Sequence, residues 1–454
     1  MKDALLDALP RSRAGYSDIR VRRISSSRYL LRDRTVEEAS SSESLGGVAR
    51  CCSPGRGWGA VGFAEPIHLD AHLLRAHDLS LAAASRLPVE LAPIPIRQYD
   101  SPERRVPDSP ELSPAQKKER LEQLATRLFE LDRRVSGSRL LARDEVVETW
   151  FASSEGSWVF TRKARLSVAA LVVARQEGAT ERGLGSVTVT GWDALPQFEE
   201  ALTRAGARAV ERLQAAPVRP GTFPVILDPR AAGILLHRAV THLARAALPG
   251  MDADVLPIGA RLGPDSLTVG DDPMAPGLAE VGPYDDEGTE TRRTVVLQNG
   301  VVLGHLHSRE TAGGARQAPT GHARAAALQD LPLPRVTNSF VAPGQGSFDD
   351  LVTGVRNGLY LSDALGCECS EAGVVLRPAM AWMIRDGRVA EPVKGVRFQG
   401  ELVELLGKVD AVGGDFQWDS SVTGCRDGAA GMVPITTGAP HIRLTGVTVG
   451  CELT

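Results

Sequence analysis

Two strand-like runs meet at a short polar turn in the amino-terminal half, and this hairpin limits the available folds more than any other feature. Val146 to Ser153 and Ser157 to Thr161 flank the turn SSEGS, and Ala164 to Arg175 supplies a further run of the same kind. Such a hairpin belongs in an antiparallel sheet, and the earlier sequence offers partners for it. Tyr16 to Arg23 alternates apolar and polar residues as a half-buried strand does, Arg28 to Arg34 reads likewise, and SSSESLGGVARCC and GRGWGAVGFAEP read as strands joined by tight turns. Helices to cover the sheet are predicted from His68 to Arg86, from Ser113 to about Leu131, and from Trp192 to about Ala216. The second of these has Pro114 at its first helical position and places Leu121, Leu124, Leu128 and Phe129 on one face.

The chain then changes character. PVRPGT, near residues 217 to 222, interrupts a helix ahead of the apolar strand FPVILD. Beyond it, apart from helices at about 231 to 247 and 348 to 357, the sequence is rich in Val, Thr and Gly with frequent turns. The expected fold class is therefore α+β: an amino-terminal α/β sandwich-like domain over 1–220, followed by a mainly β domain over 221–454. Pro88 to Pro114 carries seven prolines and reads as a connector or exposed arm within the first domain.

Length and composition exclude several classes. The chain has 454 residues, 43% of them hydrophobic, enough to bury substantial cores without staples. Charged residues make up 24% and nearly cancel to a formal net charge of -4, so no global basic field exists for nucleic acid or an anionic membrane. No segment offers the ~20 apolar residues of a membrane span, and the amino terminus lacks the apolar stretch of a secretory signal. Six sparse cysteines fit free thiols in a reducing compartment, and a cytoplasmic address is expected.

Chemistry concentrates in DPRAAGILLHRAVTHLARAALPG, where a strand ends and a helix carries His237 and His242 five residues apart. In an ideal helix that spacing separates the side chains by ~140°. A π-type widening of one turn would bring both imidazoles to one face. Two histidines on a helix are more often structural or exposed than metal-bound, because a metal site needs a third ligand and orienting partners.

The segment, and nearly the whole chain from YSDIRVRR onward, resembles the TldD/PmbA family. TldD members of the family carry LLHExxGH where this chain has LLHRAVTH. WFASSEGSWVFTRKARLSVAALVVAR is similar to the family's turn-bearing strand segment, and YDDEGTETRRTVVLQNGVVLGHLHSRETA to its DDEG segment. GHARAAALQDLPLPRVTNSFVAPG is similar to the PRxTN segment, AMAWMIRDGRVAEPVKGVRFQGE to the IxxGxxxxPVKG signature, and GCRDGAAGMVPITTGAPHIRL to the terminal Cys-Gly-rich segment. The resemblance implies a zinc ion held by His237, His242 and Cys425 with a fourth position open. It also implies a peptidase cleaving unfolded or extended peptides inside a dimeric chamber, as a homodimer or as a heterodimer with a TldD/PmbA paralogue.

This chain departs from the family at Arg238, which occupies the position of the glutamate expected to act as general base. A guanidinium stays protonated and only donates hydrogen bonds, so it cannot replace that glutamate. Asp285, Asp286 and Glu287 are the best substitutes, unless the chain is a catalytically silent subunit that supports an active paralogue. Thr241 in place of the family's glycine is a second departure. Asp286, Arg335 and Asn338 are candidates for substrate binding, with a solvated acidic loop and a locally bonded turn as the structural alternatives. His305 and His307 are expected on one face of a strand, and Cys367 and Cys369 likewise if extended; with His322, these histidines suit a pocket or surface role better than a metal cluster.

Overall fold

The computed structural model describes residues 1–83, 89–101, 112–246, 256–276, 278, 280, 282–370, 373–421, 423–426 and 431–452. The expected alternation is present, on longer strands than the sequence patterns suggest. β1 (Tyr16–Arg32) joins both amino-terminal runs into one strand, with a register shift between Leu30 and Leu31. It pairs antiparallel with β2 (Thr35–Cys52) on one side and with β5 (Val135–Ser153) on the other. β2 pairs with β3 (Trp58–Phe63), and β5 continues through the SSEGS turn into β6 (Trp158–Gln176), which pairs with β7 (Ala179–Val189). The proline-rich connector contributes as well: β4 (Gln98–Asp100) lies parallel to β6, so this part is sheet edge where a free arm was expected. Residues 84–88 and 102–111 of that region lie outside the described residues.

One face of this sheet carries all the helices. Ile19, Val21 and Trp158 pack at one end with α1 (Lys2–Ala8) and α2 (Leu69–Ala82), through Leu5 and Leu73. Leu31, Leu140 and Val168 pack at the other end with α3 (Pro114–Glu130) and α4 (Leu195–Arg212), through Leu121, Leu128 and Phe198. α3 starts as the sequence predicts, with the Ser113 hydroxyl accepting from Gln116 N–H and the Gln116 side chain accepting from Ser113 N–H. The opposite face carries Arg22, Thr149, Lys163 and Arg165, and it is turned towards the carboxy-terminal half.

That half is mainly β. A ten-stranded sheet has the strand Gly221–Leu227 near its centre, parallel to Asn357–Ser362 and antiparallel to Ile442–Cys451. A six-stranded sheet has Val269–Asp271, Asn338–Val341 and Thr436–Ala439 at its centre. Between the two sheets lies α5 (Pro229–Leu236), capped by the Asp228 carboxylate accepting from Ala231 N–H at 2.8 Å. Its seat is tight: a Cβ on Gly233 would stand 2.9 Å from Thr437 Oγ1. No helix among the described residues is long and apolar enough to cross a membrane.

Candidate metal centre

α5 does not run on regularly to residue 247 as the sequence suggests. It passes at His237 into a π-helical turn, His237–Thr241, closed by His242 N–H donating to His237 C=O at 2.8 Å. The extra residue in the turn offsets the angular mismatch of the five-residue spacing, and the imidazole centroids lie 5.9 Å apart. Cys425 arrives from the short strand Gly424–Arg426, which pairs with Met432–Pro434 so that Cys425 faces Val433. Ligand atoms of His237, His242 and Cys425 all lie within 4.8 Å of one another. A sulfur and two ring nitrogens from separate parts of the chain thus converge.

Hydrogen bonds hold one side of the His237 ring. Thr241 Oγ1 donates to the His237 carbonyl at 3.1 Å, and Ser339 Oγ donates to Asp271 Oδ2 at 3.3 Å. Both hydroxyls lie within hydrogen-bond distance of His237 Nδ1, at 3.1 and 3.2 Å, and 2.9 Å from each other, so Nδ1 is engaged by a Thr241–Ser339–Asp271 network. Nε2 is the ring nitrogen that this network leaves out. That atom is buried and has no hydrogen-bond partner among the described residues. Burial holds the His237 imidazole well below its usual pKa, and the neighbouring His242 adds to the shift. A buried neutral imidazole with an unengaged nitrogen, beside a second imidazole and a thiol, fits a borderline-soft ion such as zinc.

Asp271 anchors this arrangement from behind. It is fully buried, and it accepts from Thr337 N–H at 3.0 Å and pairs with Nε2 of the equally buried His322 at 3.1 Å. His322 is thereby an outer support of the centre. On the far side, His242 Nδ1 lies 3.1 Å from Cys425 Sγ, and Arg245 Nε donates to the His242 carbonyl at 2.7 Å. Arg238 sits within the π turn, half-buried.

The acidic segment is built differently. Asp286 is gripped by Arg22 at 2.7 and 2.8 Å and accepts from Ala325 N–H at 2.8 Å, and Arg22 with Arg20 holds its carboxyl well below the usual range despite burial. Glu287 pairs with Arg50 at 3.2 Å and accepts from Arg309 N–H at 2.9 Å. Asp285 accepts from the N–H groups of Glu287, Thr289 and Ala323. The segment read as a source of a substitute base or a substrate contact is a clasp between the two halves of the molecule.

Arg335 and Asn338 do not face open space either. Asn338 is fully buried and its amide donates to the carbonyls of Asp272 and Glu280, while Arg335 is 2% exposed and donates to the Gly431 carbonyl. The substrate-binding reading of this pair gives way to a structural one. His305 and His307 do not share a strand, because Val301–Val302 ends before them; His305 Nε2 meets the Leu256 carbonyl at 2.8 Å and His307 Nδ1 meets Thr311 Oγ1 at 3.2 Å. Cys367 lies on the strand Gly366–Ser370 against the core, and the Cys369 side chain lies outside the description. Sequence reasoning missed Ser339 and Asp271; the only signal was polar residues in otherwise apolar strand segments.

Comparison with known proteins gives a consistent answer. A family model described as the PmbA/TldA metallopeptidase C-terminal domain matches residues 220–451, and one for the central domain of the same family matches residues 107–216. The chain is 30% identical to a metalloprotease of Synechocystis sp., over 97% of this chain and 95% of that protein. It is 32% identical to a metalloprotease of Methanothermobacter thermautotrophicus, over 96% of each. Among solved structures, TldE from Thermococcus kodakarensis superposes with a TM-score of 0.77 over 99% of both chains at 18% identity, a likeness of fold alone.

Proposed function

The chain belongs to the PmbA/TldD metallopeptidase family, and from that premise we propose that it is a zinc-dependent peptidase acting on unfolded or extended peptides, with His237, His242 and Cys425 as the ligands. The observation that carries this reading is that His237, whose Nε2 is buried and lacks a partner among the described residues, belongs to a trio with His242 and Cys425 whose donor atoms lie within 4.8 Å of one another. Leaving a buried polar atom unsatisfied costs ~1–3 kcal/mol, a cost that ligation would remove. Zinc held by three protein ligands supplies a Lewis acid at an open coordination position. Thr241 and Ser339 orient His237 through Nδ1, and Asp271, which accepts from Ser339, anchors the pair. Cytoplasmic residence and assembly as a homodimer or with a family paralogue complete the proposal.

Arg238 supports a second reading, a catalytically silent subunit that presents substrate to an active paralogue. A permanent cation at the position of the family's glutamate can neither accept a proton nor favour a dication beside it. The two readings separate on metal content. Under the first, freshly purified protein carries one zinc per chain and Arg238→Glu raises peptide hydrolysis. Zinc-free protein that stimulates a paralogue, with no gain in the Arg238→Glu variant, would establish the second.

A further inference from the structure

The face of the amino-terminal sheet that carries no helices forms one wall of a cleft of about 280 Å³, and the carboxy-terminal half forms the other. Its floor adjoins the candidate metal centre. Val433, which lines the cleft, is the strand partner of Cys425, and Thr337, which also lines it, bonds to the Asp271 that supports Ser339 and His237. Antiparallel partners lie about 5 Å apart, so the chain segment that lines the cleft at Met432, Val433 and Pro434 is the one that pairs with the strand carrying Cys425.

Five cationic side chains line this space against four carboxylates. The carboxylates are engaged. Glu280 lies between Arg165 at 2.6 Å and Arg324 at 2.9 Å, Glu145 pairs with Arg165 and Arg143, and Asp286 is taken by Arg22. Asp285 is occupied by backbone N–H groups, as described above. Lys163 is the cation left over, with no ion pair or hydrogen bond to another described residue. Gly282 gives it room: a Cβ there would stand 2.8 Å from Nζ. Burial lowers the lysine's pKa below its ordinary value, although Glu280 and Asp286 lie near enough to oppose the shift. Lys163 is half-buried, so its ammonium meets the water of the cleft, and an arriving carboxylate supplies the close counter-charge that Glu280 and Asp286, engaged by Arg165, Arg324 and Arg22, do not.

We infer that Lys163 is a specificity-determining residue that receives a carboxylate of the peptide substrate, either the chain terminus or an acidic side chain. The identity of the ligand rests on the peptidase reading, but the two fail separately, since metal content and cleavage decide that reading and carboxylate preference decides this one.

The test is equilibrium binding to the full chain, by titration calorimetry, of a short peptide as its free acid, as its terminal amide, and as the amide with one internal aspartate. A charge-assisted hydrogen bond predicts that at least one carboxylate-bearing form binds about tenfold more tightly than the plain amide. Preference for the free acid identifies a chain end, and preference for the aspartyl amide identifies a side chain. Lys163→Met should abolish the preference and Lys163→Arg should keep it. Wild-type protein that binds all three forms equally, or binds none, overturns the inference, as does a folded Lys163→Met variant that still prefers the carboxylate.

Discussion

Two buried polar turns lie on opposite sides of the same problem. In the Asp285–Glu287 turn every carboxylate is met by a guanidinium or by backbone N–H groups, whereas the His237 turn leaves a ring nitrogen without a partner among the described residues. The sequence marks both as candidates for chemistry, since both are dense in titratable groups. Their difference teaches that the density of such residues says little, and that the informative quantity is what remains unsatisfied once the fold has formed.

The largest effect should come from breaking the satisfied side. Arg50 is 5% exposed and bonds Asp18 at 2.6 and 2.9 Å as well as Glu287. Arg50→Ala should cost about 3–5 kcal/mol in denaturant unfolding, because it strands two buried carboxylates. Cys425→Ser should leave the stability of metal-free protein within about 1 kcal/mol of wild type while abolishing stoichiometric zinc in elemental analysis. Equal destabilisation by both would erase the contrast. Ser339→Ala should weaken zinc binding about 10- to 100-fold in competition with a chromophoric chelator, by loosening the hold on His237 Nδ1. A smaller effect concerns pH. The Asp286 carboxyl is depressed in the folded state, so its contribution is present above the unfolded carboxylate pKa of ~3.9 and is lost as pH falls below that towards the folded value. Arg22→Met should flatten that part of the acid-unfolding curve.

Much of the fold was legible. Alternation revealed the start of β1, the SSEGS turn revealed β5 and β6, and Ser113 followed by Pro114 marked the start of α3. Strand length was not legible, because Ser25, Ser26 and Ser27 continue β1 where no packing cluster covers it, so no apolar residue marks the path. Of the centre, the two histidines and the need for a widened turn could be read from spacing, while Cys425 came only through family resemblance. Ser339, Asp271 and Lys163 were not legible, since a single polar residue in a strand carries no period and its meaning depends on what the other half of the chain brings to it. Asn338 and Arg335, open in the sequence between substrate binding and a locally bonded turn, are engaged by distant carbonyls for the same reason.

β5 and β6 hold helices with one side and the cleft with the other. Glu145, Val147 and Thr149 stand opposite Arg165, Lys163 and Thr161, and the residues between them turn the other way. Inserting one amino acid in either strand would exchange the two sides, sending lysine and arginine under the helices and leucine and valine into the charged gap. Changes in length along these ribbons are therefore tolerable only in pairs, and the core and the cleft are tied to a common register.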